Sequence, residues 1–472
     1  MDTQARGKFS LDNLSELSIN DYVQLNKIKV ATTKNRGNRL VAEENLSGSP
    51  EAPPIAIIPS DVVITRDYAG WLAHNDTNFR QLVEAVGFQP DRQLVLLAML
   101  MHLVILYGET PLGPEDRDGL RKSHWNGYLL VQPHDVPVPT MWSPAERALL
   151  NGTSLESALG AKLQLLEMEW NTIVTQTTSL PWWNRIFTDP GKSVQLKDWI
   201  WLDALFRSRS FSLPVSGEAM VPYQDLANHS RRANAYWRQD PHTGDVFLML
   251  KEGCEMGKGE EVMISYGRDK PAAEMLFNYG FIAEECSMLE GQGQRLVMPL
   301  DDILEGRMKE DEFLRAKMDV FGSLPLLELR VLSDGVGRWS SHFAYLLCTE
   351  EEDGLTFEME KWRKMLFHGK NVTAMASMFG VFVNARDELR AVVPSRAVDF
   401  VIGVVEEKLR RLGKEVRMTP GTTDGQQRSQ TTEKVREQVL KSVSQLKDIE
   451  MGILERCLVS LRAEKGGLDG RV

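Results

Sequence analysis

The sequence predicts an α+β chain in which a β-rich region is interrupted by a helical insert and followed by an all-helical C-terminal region. Three observations carry that expectation. Short β-type runs bounded by Gly and Pro stand on both sides of a long stretch with helical periodicity, and the chain ends in an amphipathic stripe recurring every three to four residues. At 472 residues the chain also exceeds one small domain, so two or three folding units are expected.

In chain order, residues 28–31, 39–42 and 55–58 read as strands, punctuated by Gly37, Gly48, Pro50, Pro53, Pro54 and Pro59. From about Asp67 to Ala204 the period becomes helical. The apolar run 94–107 and the series Leu155, Leu159, Leu163, Leu166 and Trp170 define two helices, with Trp182, Trp183, Trp199 and Trp201 as packing anchors. β character returns at 246–250 and 262–266, expected to pair across the turn holding Gly253, Gly257 and Gly259. Beyond about Arg295 the pattern is helical again and closes with the stripe Val435, Val439, Val443, Leu446, Ile449, Ile453, Cys457 and Leu461. Gly413 is read as a left-handed helix cap, and 417–430, with almost nothing to bury, as a mobile loop. The expected division is 20–290, with its insert at about 67–204, and a helical 295–465.

Composition narrows the function. A net charge of -11 argues against sequence-independent binding to a nucleic-acid backbone, which needs a basic face. A basic protein or peptide fits better as a partner, although an acidic balance is more simply how many soluble proteins stay soluble. Cys254, Cys286, Cys348 and Cys457 lie far apart without ligand spacing, so neither a metal site nor a disulfide framework is expected. The run 94–107 contains His102 and is too short to span a bilayer, so no membrane partner is expected. The N-terminus carries Asp2 and Asp12 and lacks an apolar segment, which points to a cytoplasmic or nuclear protein.

The chemistry concentrates in about 75 residues: Arg207-Ser208-Arg209-Ser210-Phe211, Asp225-Leu226-Ala227-Asn228-His229-Ser230, Ile264-Ser265-Tyr266-Gly267 and Asn278-Tyr279-Gly280-Phe281. An arginine fork suits a carboxylate, an asparagine amide can read an adenine edge, and phenols can line a channel for an amine. Taken singly, these residues have ordinary readings. Tyr266 could pack at a strand end, Arg209 could form a surface ion pair, Asp225 could bond its own turn, and His229 could be a structural histidine.

In this order the motifs resemble the SET-domain protein-lysine methyltransferases of the Rubisco large-subunit methyltransferase-like branch, which includes fungal enzymes acting on ribosomal proteins. The RSRxF and DxxNHS series, the GEEVxIxYG stretch at 259–267, the thirteen-residue spacing from Tyr266 to Tyr279, and Ser123-His124-Trp125 with Tyr128 in the insert all match. The resemblance implies a split SET domain, a helical substrate-binding domain, S-adenosylmethionine as methyl donor and a lysine of an intracellular protein as acceptor. It places cofactor contacts on Arg209, Asn228, His229, Tyr266 and Phe281, with main-chain contacts from Arg36-Gly37-Asn38. Ser208, Phe211, Asp225 and Tyr279 fall on the substrate side, and the Tyr266 hydroxyl is the catalytic group that aims the amine. Two positions depart from the pattern: Arg39 replaces a second glycine, and Lys270-Pro271-Ala272 replaces Lys-Ser-Asn. Phe211 favours lysine over histidine as acceptor. A silent scaffold that only binds and a protein-histidine methyltransferase stay open as alternatives; a monomer is expected.

Overall fold

The computed structural model describes residues 22–33, 37–87, 90–107, 125, 128–129, 132–180, 194–267, 270–287, 294–359, 362–413 and 435–469. The chain divides into two compact units, one formed by 1–141, 161–268 and 278–280, the other by 142–160, 269–277 and 281–472. The loop expected at 417–430, together with Trp182, Trp183, Ser123, His124 and Arg36, lies outside the described residues.

The first unit is built on an antiparallel sheet in the order Gln24–Leu25, Ala56–Ile58, Val246–Leu250, Ala235–Gln239. Around it stand the hairpins Ile28–Thr33 with Gly37–Ala42 and Ser210–Leu213 with Gly217–Met220, and the short parallel pair Asn228–His229 with Met263–Ile264. The hairpin expected between 246–250 and 262–266 does not form. The intervening chain makes another strand, Glu255–Met256, which pairs with Leu46–Ser47 and carries Met263–Ile264 to Asn228–His229 instead. Gly37, with φ of 66°, turns the first hairpin in a conformation that glycine adopts without steric cost.

Helices Arg66–Asn75, Thr77–Val86 and Asp91–Tyr107 follow the first strands. Thr65 and Asp76 cap the first two by accepting from the amides of Tyr68 and Phe79 at 3.0 and 2.6 Å. In the third helix the residues from Val95 to Met101 are almost wholly inaccessible, as an all-round apolar sequence requires. His102 interrupts that run without reaching water: its Nε2 lies 2.9 Å from the Tyr68 hydroxyl. Trp199 and Trp201 are buried anchors whose indole nitrogens donate to Glu169 and to the Pro133 carbonyl.

The helix Leu196–Arg209 is held from its middle. Asp203, fully buried, accepts from Arg92 at 2.7 Å, Lys162 at 2.8 Å and Arg207 at 2.7 Å. Burial alone would push this carboxyl up, but the three cations outweigh it and hold it below the ordinary carboxylate range. The same helix ends in Arg209 and runs directly into the strand Ser210–Leu213, so its packing fixes where the arginine of the motif emerges.

In the second unit the stripe read from the sequence is the buried face of Glu437–Asp469, from Val439 to Leu461. This unit is not all-helical as expected. It also carries the sheet Gln294–Pro299, Leu326–Val331, Gly337–Ser340 and the sheet Leu355–Met359, Arg363–Phe367, Lys370–Asn371. The reason is an alternation hidden among charges: Leu327, Leu329 and Val331 are buried, while Glu328 between them pairs with Arg295 and Arg330 at 3.0 and 2.6 Å. Gly413 is a further correction, since with φ of -75° it ends its helix in right-handed geometry. Glu146 anchors the long C-terminal helix by accepting from Arg436 Nε at 2.8 Å, and hydrogen bonds from Arg436 hold its carboxyl down at about 2.

Candidate active site

Tyr266 is the centre of a ring cluster in the first unit. Its centroid lies 4.7 Å from that of Tyr279 and 5.2 Å from that of His229. The parallel pair of Asn228–His229 with Met263–Ile264 sets this up, because it brings His229 beside the chain leading into Tyr266. The Tyr266 amide donates to His229 Nδ1 at 3.1 Å, and its hydroxyl donates to the Ala227 carbonyl at 2.9 Å. Burial pushes the Tyr266 phenol well above its ordinary range, against the opposing pull of Arg209. The group is therefore a neutral phenol whose proton is committed to Ala227, leaving oxygen lone pairs as its means of contact.

Arg209 meets Asp225. Its Nη1 donates to the Asp225 carbonyl at 2.9 Å and lies 3.4 Å from the carboxylate Oδ2. That carboxylate is buried and also accepts from the Tyr128 hydroxyl at 2.7 Å and, more loosely, from Gln132 at 3.4 Å. Among the described residues its Oδ1 has no hydrogen-bond partner, and neither do Gln132 Oε1 or the two amide atoms of fully buried Gln224. Burial raises the Asp225 carboxyl above its ordinary range, although Arg209 and Tyr128 work the other way. The turn that delivers this residue passes through Tyr223 at φ 64°, a left-handed conformation costly for a non-glycine residue.

Asn228 is oriented by a residue that the motif reading did not single out. Its Nδ2 donates to Glu261 Oε1 at 2.6 Å, while Arg39 donates to Glu261 Oε2 at 3.1 Å. The arginine that replaces a glycine thus braces Asn228 through a shared carboxylate. Phe211 stands edge-on to Trp237 at 5.9 Å and forms part of an apolar wall. Ser208 is turned back onto its own helix, donating to Ala204 O at 2.7 Å. Asn38 lies on the first hairpin and accepts from Thr32 Oγ1 at 3.2 Å. Phe281 is half-buried and belongs to the second unit.

The structure thus joins Tyr266, Tyr279 and His229 in one cluster and Arg209 with Asp225 in another, with Ala227 linking the two along the chain. Tyr128 and Gln132 complete the second cluster, while Glu261 holds Asn228 and Trp237 packs on Phe211; none of the four had been given a role from sequence. Glu261 was visible inside the 259–267 stretch and Tyr128 beside the insert motif; nothing local marks Gln132 or Trp237. Among the described residues, no helix is long and apolar enough to cross a membrane and no group of His, Cys, Asp or Glu is arranged to hold a metal ion.

This architecture is that of the SET-domain methyltransferase acting on the Rubisco large subunit. The crystal structure of the SET domain of that enzyme bound to lysine and S-adenosylhomocysteine superposes with a TM-score of 0.63 at 17% identity, covering 100% of this chain and 94% of the other. A second structure of the enzyme, bound to S-adenosylmethionine, gives 0.61 at 16% identity over 98% and 93%. The sequence relatives agree. A family model described as cytochrome c lysine N-methyltransferase 1 matches residues 214–309. SET domain-containing protein 8 of Schizosaccharomyces pombe is 30% identical over 239 residues, 51% of each chain. The chloroplastic fructose-bisphosphate aldolase-lysine N-methyltransferase of Arabidopsis thaliana is 32% identical over 170 residues, 34% of each. The match thus spans about half the length of the first of these relatives and about a third of the second. Over at most about half its length the chain is thus similar to a SET-domain protein and to lysine N-methyltransferases, and it shares the fold of the Rubisco enzyme.

Proposed function

We propose that this chain is an S-adenosylmethionine-dependent protein-lysine N-methyltransferase acting on an intracellular protein. The observation that carries the proposal is the Tyr266 phenol, buried, held by the Ala227 carbonyl and flanked by Tyr279 and His229 within the field of Arg209. The donor set fits the cofactor: only Nη1 of Arg209 is committed among the described residues, leaving the rest of its planar fork for a carboxylate. Asn228, braced by Glu261, and His229 suit the adenosine end. When bound, S-adenosylmethionine supplies an electrophilic methyl group on a sulfonium.

The acceptor amine must be neutral, yet free lysine has a pKa of about 10.4. Enclosure among Phe211, Tyr266 and Tyr279 disfavours the ammonium form, so the amine sheds its proton to water before attack. With its own proton given to Ala227, the Tyr266 oxygen accepts from the amine N–H and orients the lone pair; this is positioning rather than base catalysis. Phe211 packed on Trp237 offers an apolar wall, which favours a lysine chain over an imidazole. The bracing of Asn228 through Arg39 and Glu261 favours a working pocket over a silent scaffold.

In the same reading the second unit docks the protein substrate, and the chain works as a monomer in the cytoplasm or nucleus. Microscopy of a tagged chain and light scattering test those two points. For the activity itself, Tyr266→Phe lowers tritiated methyl transfer to extract proteins by about a hundredfold or more with the fold intact. Full activity in that variant would remove Tyr266 from its role.

A further inference from the structure

The first unit carries a cleft of about 720 Å³ away from the Tyr266 cluster. Tyr22, Tyr68, Trp71, Asp61, Asp67 and Val215 line it, and neither lysine nor arginine does among the described residues. Trp71 is 59% exposed and Val215 57%, large apolar surface for residues in a concave site. Tyr68 and Trp71 stack with centroids 6.0 Å apart, presenting ring faces side by side. Asp61 and Asp67 are exposed carboxylates, and the nearest cation in sequence, Arg66, is already paired with Asp91 at 2.8 Å. A cleft combining aromatic faces, carboxylates without an ion-pair partner among the described residues, and apolar walls recognises a cationic side chain beside an apolar one.

Its position specifies the occupant further. The strand Ser210–Leu213 lies alongside Ala235–Gln239: Phe211 touches Trp237 at one end, and at the other the Val215 amide donates to Gln239 Oε1 at 2.9 Å while Gln239 Nε2 donates to Ser216. The strand ends at Leu213 and residues 214–216 turn, so the Phe211 wall and the Val215 rim are at most about 13 Å apart, the reach of no more than about four extended residues.

We infer that the cleft is a docking site for a basic, apolar-flanked segment of the protein substrate, lying within about four residues of the lysine to be methylated. The spacing from the target lysine rests on the proposed function; the binding of a basic segment does not.

The test uses the full chain and two fluorescein-labelled peptides, one of repeating Gly-Arg-Leu and one of repeating Gly-Glu-Leu, titrated by anisotropy at physiological ionic strength. The basic peptide binds, and both Trp71→Ala and the double variant Asp61→Asn with Asp67→Asn weaken it by about tenfold. The heat of S-adenosylhomocysteine binding is unchanged in those surface variants. Equal binding of the acidic peptide, or an effect below about twofold in both variants, overturns the assignment. Loss of cofactor heat in the unsubstituted chain with peptide binding still dependent on Trp71 would refute the methyltransferase reading and leave the cleft standing.

Discussion

Two buried aspartates meet the same helix, Leu196–Arg209, and they are treated in opposite ways. Asp203, in its middle, is saturated by Arg92, Lys162 and Arg207, and its carboxyl is held low. Asp225, at its end, has a loose arm of Arg209, the Tyr128 hydroxyl, a long contact from Gln132, an Oδ1 without a hydrogen-bond partner among the described residues, and a carboxyl pushed up. A saturated buried charge serves the fold, because every interaction that it can make is already made. An under-paired one beside an arginine fork is costly to the fold, and in the proposed reading that cost is tolerated because the residue serves the substrate side of the site.

The largest effect expected from this contrast is on Asp203. Asp203→Asn takes the anion from Lys162 and Arg207, leaves Arg92 with Glu169 alone, and lowers stability by about 3–5 kcal/mol in urea unfolding. A loss below about 1 kcal/mol would mean that water screens the cluster. With a depressed carboxyl, the contribution of Asp203 is present above the unfolded pKa and lost as pH falls below it.

Glu146 in the second unit sharpens the comparison as another satisfied carboxylate. Held at about 2 against an ordinary 4.5, it contributes above about pH 4.5 and loses that contribution as pH falls towards about 2. Because Arg436 is partly exposed, the effect of Glu146→Gln is about 2 kcal/mol at pH 7. The variant should also show a flatter acid limb than the unsubstituted chain; an unchanged limb would detach Glu146 from acid stability.

The smallest effect on stability belongs to Asp225. Its raised carboxyl makes the folded state less favoured as pH rises from the unfolded pKa of the group through its folded value, the reverse of Asp203. Asp225→Asn therefore changes stability by less than about 1 kcal/mol at pH 7 while methyl transfer falls. A loss as large as that of Asp203→Asn would make the two aspartates alike and erase the distinction.

The same contrast explains what the sequence could and could not convey. The strand 246–250, the stripe of Glu437–Asp469 and the helix Asp91–Tyr107 rest on local periodicity and were legible. The partner of a strand is not local: Met263–Ile264 was expected against 246–250 and lies against Asn228–His229. The strands of the second unit were missed because charged residues fill the outward positions of their alternation. In the site, the motif residues were readable, but the partners that set their geometry come from far away. Arg39 reaches Glu261 across 222 positions and Tyr128 reaches Asp225 across 97, and neither contact leaves a local trace.

Calorimetric titration of S-adenosylhomocysteine into the unsubstituted chain and into Arg209→Lys tests the central claim most directly. The account predicts saturable heat with the unsubstituted chain and an affinity about tenfold weaker or more when the planar fork becomes a point charge. No heat from the unsubstituted chain, or equal affinity in the two proteins, would contradict it.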